Sequence, residues 1–141
     1  MPIRSLRSIV DGRTPITVAK TVTVVEAARA MKQQNVGALL VVDGGRLCGI
    51  FTERDALFRV LAEGRDPGAT TLAQVMTPQP QTIHPDKPFL HALRLMHVGR
   101  FRHLPVVEDG RPLGMVSSRD ALDEDLYELR TNLAQREDML E

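Results

Sequence analysis

The chain has one cysteine, no tryptophan, one tyrosine and no excess charge, with 18 basic and 18 acidic side chains in 141 residues. A lone Cys48 excludes an intrachain disulfide, and its apolar neighbours mark it as a small buried hydrophobe, which suits a reducing cytoplasm. Nucleic-acid binders usually carry a net basic footprint, so the charge balance argues against one. No apolar stretch is long enough for a membrane span, and the basic opening MPIRSLRSIV lacks the apolar run of a signal peptide, so a cytoplasmic protein is expected. There is no Gly-rich phosphate loop ending in lysine, no nucleophile elbow and no recognisable Ser-His-Asp arrangement, and an enzyme is not expected. His84, His91, His97 and His103 have no acidic or cysteine partner at a zinc-binding interval, so no metal site is expected.

The chain does contain a repeat. Val36–Leu57 aligns without a gap on Phe101–Leu122. The identical pairs are Leu39/Leu104, Val41/Val106, Val42/Val107, Gly45/Gly110, Arg46/Arg111, Gly49/Gly114, Arg54/Arg119, Asp55/Asp120, Ala56/Ala121 and Leu57/Leu122. The same offset pairs Pro15 with Pro80, Thr17 with Thr82, Ala27 with Ala92 and Met31 with Met96. A match of this length in register makes the repeat the unit of structure. With 43% hydrophobic and 26% charged residues, the chain is that of a globular protein with one ordinary core or two small ones.

Each copy carries the same local signals. Ile16–Val18 and Gln81–Ile83 read as short strands. Val24, Ala27, Ala28 and Met31 then recur at helical spacing, as do Phe89, Leu93 and Met96. Thr23 or Thr21 is the expected cap of the first helix and Asp86 of the second, with Pro88 at an early helical position. The apolar runs Ala38–Val42 and Leu104–Val107 read as strands covered on both faces. Glycines in Asp43-Gly44-Gly45-Arg46 and Glu108-Asp109-Gly110-Arg111 predict hairpins leading to partner strands Leu47–Phe51 and Leu113–Val116. Apolar helices are expected over Ala56–Leu61 and from Ala121 onward. The fold class is therefore mixed α+β: two tandem βαββα repeats with pseudo-two-fold symmetry and a C-terminal helical extension. The predicted boundaries are 1–62 for the first repeat with its N-terminal segment, 63–72 for a linker, 73–126 for the second repeat and 127–141 for a helical tail. Leu122, Leu126, Leu129, Leu133 and Leu140 form a heptad-like stripe, interrupted at Arg136, that docks either on its own domain or on a second subunit.

The segments Gly49-Ile50-Phe51-Thr52-Glu53-Arg54-Asp55 and Gly114-Met115-Val116-Ser117-Ser118-Arg119-Asp120 share one pattern: glycine, two apolar residues, Thr or Ser, two variable residues, then Asp. With Arg102–Val107 and the Val75-Met76-Thr77-Pro78 opening of the second copy, this resembles the cystathionine-beta-synthase (CBS) domain pair, or Bateman module, over roughly Ile3 to Leu126. The resemblance implies a stand-alone, non-enzymatic module that binds an adenosyl ligand in the cleft between repeats and associates into a disc-like homodimer. AMP, ADP and ATP are the leading ligands, ahead of S-adenosylmethionine and NAD(H), and no cofactor is required. A regulated protein encoded elsewhere is a further expected partner; nucleic acid and membrane are not.

A carboxylate can accept hydrogen bonds from both ribose hydroxyls, which is the role implied for Asp55 and Asp120. The same residues, with Thr52 and Ser117, also read as helix caps, and the two roles are compatible. Thr52 and Ser117 can donate to ribose or phosphate oxygens, and backbone amides at the helix start add a favourable dipole. Arg54 and Arg119 read as phosphate partners or as a solvated face, and Gly49 and Gly114 as points of close backbone approach. Thr17, Val36 and Ala38 in the first copy and Thr82, Arg102 and His103 in the second complete the candidate set. The sites are expected to be unequal, because only the second copy offers cations or N–H donors, Arg102 or His103, for a polyphosphate. The alternative function is a ligand-free interaction or oligomerisation module serving a separate enzyme or transporter.

Overall fold

The computed structural model describes residues 4–140; the Ile3 edge of the resemblance lies outside the described residues, as does the side chain of Leu140 in the leucine stripe. The chain forms two compact units that do not follow the sequence boundaries of the repeats. One joins Thr14–Gln81 to the turn Asp109–Pro112; the other joins the segment ending at Arg13 to Thr82–Glu108 and Leu113–Glu141. They are named here by their motif carboxylates, the Asp55 unit and the Asp120 unit.

In the Asp55 unit, β1 (Thr17–Ala19), β2 (Ala38–Asp43), β3 (Arg46–Thr52) and β4 (Thr77–Pro78) form one sheet in that order. β1 runs parallel to β2 with Thr17 opposite Leu40, and β2 runs antiparallel to β3 with Ala38 opposite Thr52. The expected hairpin is there: Gly44 and Gly45 both take positive φ, 60° and 79°, as a two-residue turn matched to strand twist requires. A bulge follows, where Val41 faces Gly49 but Val42 faces Leu47, and Cys48 is the extra residue. Cys48 is half-buried rather than fully buried, packed against the core.

The helix α2 (Val24–Gln34) lays Val24, Ala27 and Met31 into a core with Leu39, Val41, Phe51, Val60, Leu72 and Val75. Ala28, read with the apolar face, is exposed. Thr23, not Thr21, caps α2, its hydroxyl accepting from Glu26 N–H at 3.3 Å. The stretch expected to be a linker satisfies the next amides: Val24 N–H donates to Thr70 O at 2.9 Å and Val25 N–H to Pro67 O at 3.0 Å. α3 (Glu53–Asp55) then opens into a π-helical stretch, Ala56–Leu61, where the sequence predicts an α-helix. Its bonds span five residues, Ala62 N–H to Leu57 O at 2.9 Å and Arg65 N–H to Val60 O at 3.0 Å. Val60 is buried there while Leu57, Phe58 and Leu61 are exposed. A one-turn helix, α4 (Leu72–Val75), closes the core.

The Asp120 unit begins with α1 (Leu6–Val10), which buries Leu6 and Val10 against Ile83, Phe89, Leu93, Met96, Leu104, Val106, Val116 and Leu129. The helix α5 (Phe89–Gly99) is not capped by Asp86. Pro88 is the N-cap and contributes no side-chain bond; instead Phe89 N–H donates to Arg4 O at 2.7 Å. Leu6 N–H to Lys87 O at 3.0 Å and Arg7 N–H to Pro85 O at 2.8 Å extend this seam, so backbone from the N-terminal segment replaces the expected side-chain cap. Asp86 pairs with Arg7.

Strands β5 (His103–Glu108) and β6 (Arg111–Ser117) form a two-stranded sheet, with positive φ at Asp109 and Gly110 in the turn. Gln81–Ile83 does not form the expected strand; it makes one parallel bridge, Ile83 to Val106. After β6 a 3-10 turn, Ser118–Asp120, leads to extended Ala121, and the last helix, α6, spans Asp123–Leu140. The leucine stripe divides: Leu129 and Leu133 dock on this unit's core, while Leu122 and Leu126 are exposed.

Candidate functional site

Both motif carboxylates sit just past a strand end, where a Thr or Ser stops the strand and caps the next turn. At the end of β3, Asp55 Oδ2 accepts from Thr52 N–H at 3.0 Å and from the Thr52 hydroxyl at 3.1 Å, while Asp55 N–H donates to Thr52 Oγ1 at 3.2 Å. This is a reciprocal capping box. The other oxygen, Oδ1, accepts from the Thr77 hydroxyl at 3.1 Å, and Arg59 Nε lies 3.5 Å away. Arg59 directs Nη1 to Met76 O at 2.9 Å. Asp55 is only 6% exposed. Gly49 permits this packing, because a methyl group there would collide with Met76 Sδ.

At the end of β6, Asp120 Oδ2 accepts from Ser117 N–H at 2.8 Å. Its Oδ1 accepts from Arg13 Nη2 at 2.7 Å, and Arg13 Nη1 reaches Met115 O at 3.4 Å. Burial alone would raise this carboxyl, but the Arg13 and Ser117 hydrogen bonds and the charges of Arg13 and Arg4 outweigh it and hold it below the ordinary value. Arg4 pairs with Asp125, donates to Asp120 O at 3.3 Å and lies over the Phe89 ring, 5.1 Å from its centroid. A methyl group on Gly114 would stand 3.0 Å from Val10 Cβ, so this glycine too sits under a side chain of the preceding short helix.

The remaining predicted residues fall into two sets. In the Asp55 unit, the register places Thr17, Ala38 and Thr52 at one end of the sheet, with half-buried Val36 just before it. Arg54 is exposed, 5.3 Å from the Phe58 ring centroid, and not turned to Asp55. In the Asp120 unit, half-buried His103 opens β5, exposed Arg102 accepts Ser118 N–H on its carbonyl at 3.3 Å, and exposed Thr82 precedes the Ile83 bridge. Arg119 is exposed, its N–H donating to Ser117 Oγ at 3.3 Å.

Three side chains that meet the carboxylates are missing from the candidate set: Thr77, Arg59 and Arg13. Thr77 and Arg13 each follow a short helix, α4 or α1, and reach Asp55 or Asp120 from there. A signal for them exists: Leu6 and Val10 copy Leu72 and Val75 at nearly the repeat offset. A further cluster also forms where sequence intervals showed none. His84 lies 3.6 Å from Asp86 Oδ2 and 3.4 Å from Glu108 Oε2. Arg7 already spans both carboxylates, at 2.9 Å to each, and meets their charge.

The CBS domain family model matches residues 7–62 and again 72–127. The chain belongs to the CBS-domain family and carries the domain twice. It is 40% identical over 116 residues to the mitochondrial CBS domain-containing protein CBSX3 of Arabidopsis thaliana, a match covering 79% of this chain and 56% of that protein. The chain thus spans about half of that relative, and less than a fifth of several others it matches. Among solved structures, a CBS domain protein of Pyrobaculum aerophilum complexed with AMP is 25% identical with a TM-score of 0.79, over 92% of this chain and 99% of that one. The CBS domain pair of protein MJ0100, in complex with 5′-methylthioadenosine and S-adenosyl-L-methionine, is 31% identical with a TM-score of 0.74, over 93% and 98%. Among the described residues, no helix is long and apolar enough to cross a membrane.

Proposed function

We propose that the chain is a non-enzymatic regulatory module that binds an adenosyl ligand, AMP, ADP or ATP, through its motif carboxylates. The observation that carries this reading is Asp120. Its side chain keeps 16% of its surface, and its Oδ1 is held by an arginine half open to solvent, an arrangement a ribose diol can enter. Ser117 stands beside it to donate, and Arg102 supplies a cationic group and His103 a ring N–H on the same unit for phosphate. The AMP and S-adenosylmethionine complexes of similar proteins support the same class of ligand. Binding that favours one of two arrangements of the chain shifts their populations, and that shift is the regulatory output.

Calorimetric titration of AMP, ADP and ATP tests the proposal. Saturable binding is expected, weakened about tenfold or more by Asp120→Ala, since the diol loses its charged acceptor. No binding across these ligands, S-adenosylmethionine and NADH would favour the protein-interaction reading instead.

The partner proposed with this ligand is a second copy of the chain. Leu57, Phe58 and Leu61 are 49%, 52% and 72% exposed, and Leu122, Leu126 and Tyr127 are 50%, 40% and 71% exposed. Apolar clusters of this kind on a folded chain mark association surfaces. Sedimentation equilibrium is expected to show a dimer that the double substitution Phe58→Glu, Leu61→Glu converts to monomer; a wild-type monomer defeats the idea.

A further inference from the structure

The two motif carboxylates are held by their arginines at different distances. Asp55 Oδ1 accepts from the Thr77 hydroxyl at 3.1 Å, and its ion pair with Arg59 Nε is longer, 3.5 Å, while the same guanidinium donates from Nη1 to Met76 O. Asp120 Oδ1 takes the Arg13 guanidinium at 2.7 Å. Thr77 and Arg13 hold similar places in the chain, two residues past α4 and three past α1.

We propose, resting on the adenosyl-ligand reading above, that Arg13 makes the Asp120 site selective for phosphorylated adenosyl ligands over uncharged ones. In this proposal the ribose takes the place of the guanidinium on Asp120 Oδ1. With a neutral nucleoside, Arg13 loses its counter-ion and the exchange forfeits a charge-assisted hydrogen bond. With a 5′-phosphate, the guanidinium passes from carboxylate to phosphate, whose oxygens match its planar fork. Arg13 suits this exchange: its side chain is 43% exposed and, among the described residues, is held apart from Asp120 by the 3.4 Å contact to Met115 O. Asp55 Oδ1 takes its hydrogen bond from a hydroxyl that rotates to suit either state, and its ion pair with Arg59 is longer, so it imposes a weaker choice. Arg13 lies outside the repeated motif but within residues 7–62, the first CBS match, yet it serves the carboxylate of the second.

Titration of AMP and of adenosine into the wild-type chain, Arg13→Gln and Arg13→Lys decides the matter. The wild type should bind AMP about tenfold or more tightly than adenosine. Arg13→Gln should weaken AMP about tenfold and leave adenosine equal or tighter, so that the preference collapses. Arg13→Lys keeps the charge without the fork; it should retain part of the preference, and it supplies the same ratio if the glutamine variant melts early. An AMP-to-adenosine ratio unchanged in Arg13→Gln overturns the inference and leaves the adenosyl reading intact. Equal tightening of both ligands marks Arg13 as a plain plug and also overturns the selectivity. A wild-type chain that binds neither ligand overturns both proposals.

Discussion

Leu6→Ala is expected to destabilise the protein by about 2–5 kcal/mol, as for other fully buried leucines. Leu6 is 0% exposed and packs in the core of the Asp120 unit, whose buried members, Val10 apart, all lie at Ile83 or beyond. The loss should be local before it is global. Arg4 O, which caps α5, and the Leu6 and Arg7 amides, bonded to Lys87 O and Pro85 O, flank the cavity that alanine would leave. Hydrogen exchange should therefore show α5 amides losing protection while α2 amides keep theirs. Equal loss in both helices, or a urea midpoint unchanged from wild type, contradicts this account of the core.

Asp55→Ala should also act mainly on stability, with a loss of about 2–4 kcal/mol from the lost cap and the orphaned donors. The removed carboxylate leaves Thr52 N–H and two hydroxyls without their acceptor in a site that is 6% exposed. Asp55→Asn should recover most of the loss. Its amide oxygen still accepts from Thr52 N–H, and its NH₂ donates to a Thr77 hydroxyl that turns to accept. Asp120→Ala should cost much less, about 1 kcal/mol, because its pair with Arg13 is half open to solvent. Urea unfolding of the three variants checks the order; equal losses for Asp55→Ala and Asp120→Ala contradict it. Any fall in nucleotide affinity in Asp55→Ala then needs separating from partial unfolding, which makes Asp120 the cleaner probe of ligand contact.

The features legible in the sequence were those whose cause is local. Gly44-Gly45 and Asp109-Gly110 announce tight hairpins because few other residues tolerate positive φ. Ala38–Val42 announces a doubly covered strand; its first four side chains are buried and Val42 is half-buried. Thr52 with Asp55 and Ser117 with Asp120 were readable as caps because each bond closes within three residues. Illegible were contacts closing over long stretches of chain. Asp86 looked like a cap, yet the acceptor for Phe89 N–H is the carbonyl of Arg4, far back in the chain, and nothing near Asp86 announces it. Arg13 and Asp120 are separated by 107 residues. Gln81–Ile83 failed as a strand because its single bridge leaves it one pairing partner, whereas its counterpart β1 keeps three residues in register with β2. The π-wound Ala56–Leu61 has the composition of an ordinary helix, so its wider winding carried no compositional mark.

The mismatch between compact units and sequence repeats bears on how the chain folds as it is made. Synthesis runs toward the C-terminus, and α1 leaves the ribosome before the other elements. Almost all of the Asp55 unit lies within Thr14–Gln81 and can assemble while the rest is still being translated. Leu6 and Val10 must wait, apolar and unpartnered, until Phe89, Val116 and finally Leu129 arrive. The helix made ahead of the others is thus the last to find its core, and its apolar face stays open to misassociation until those residues are made.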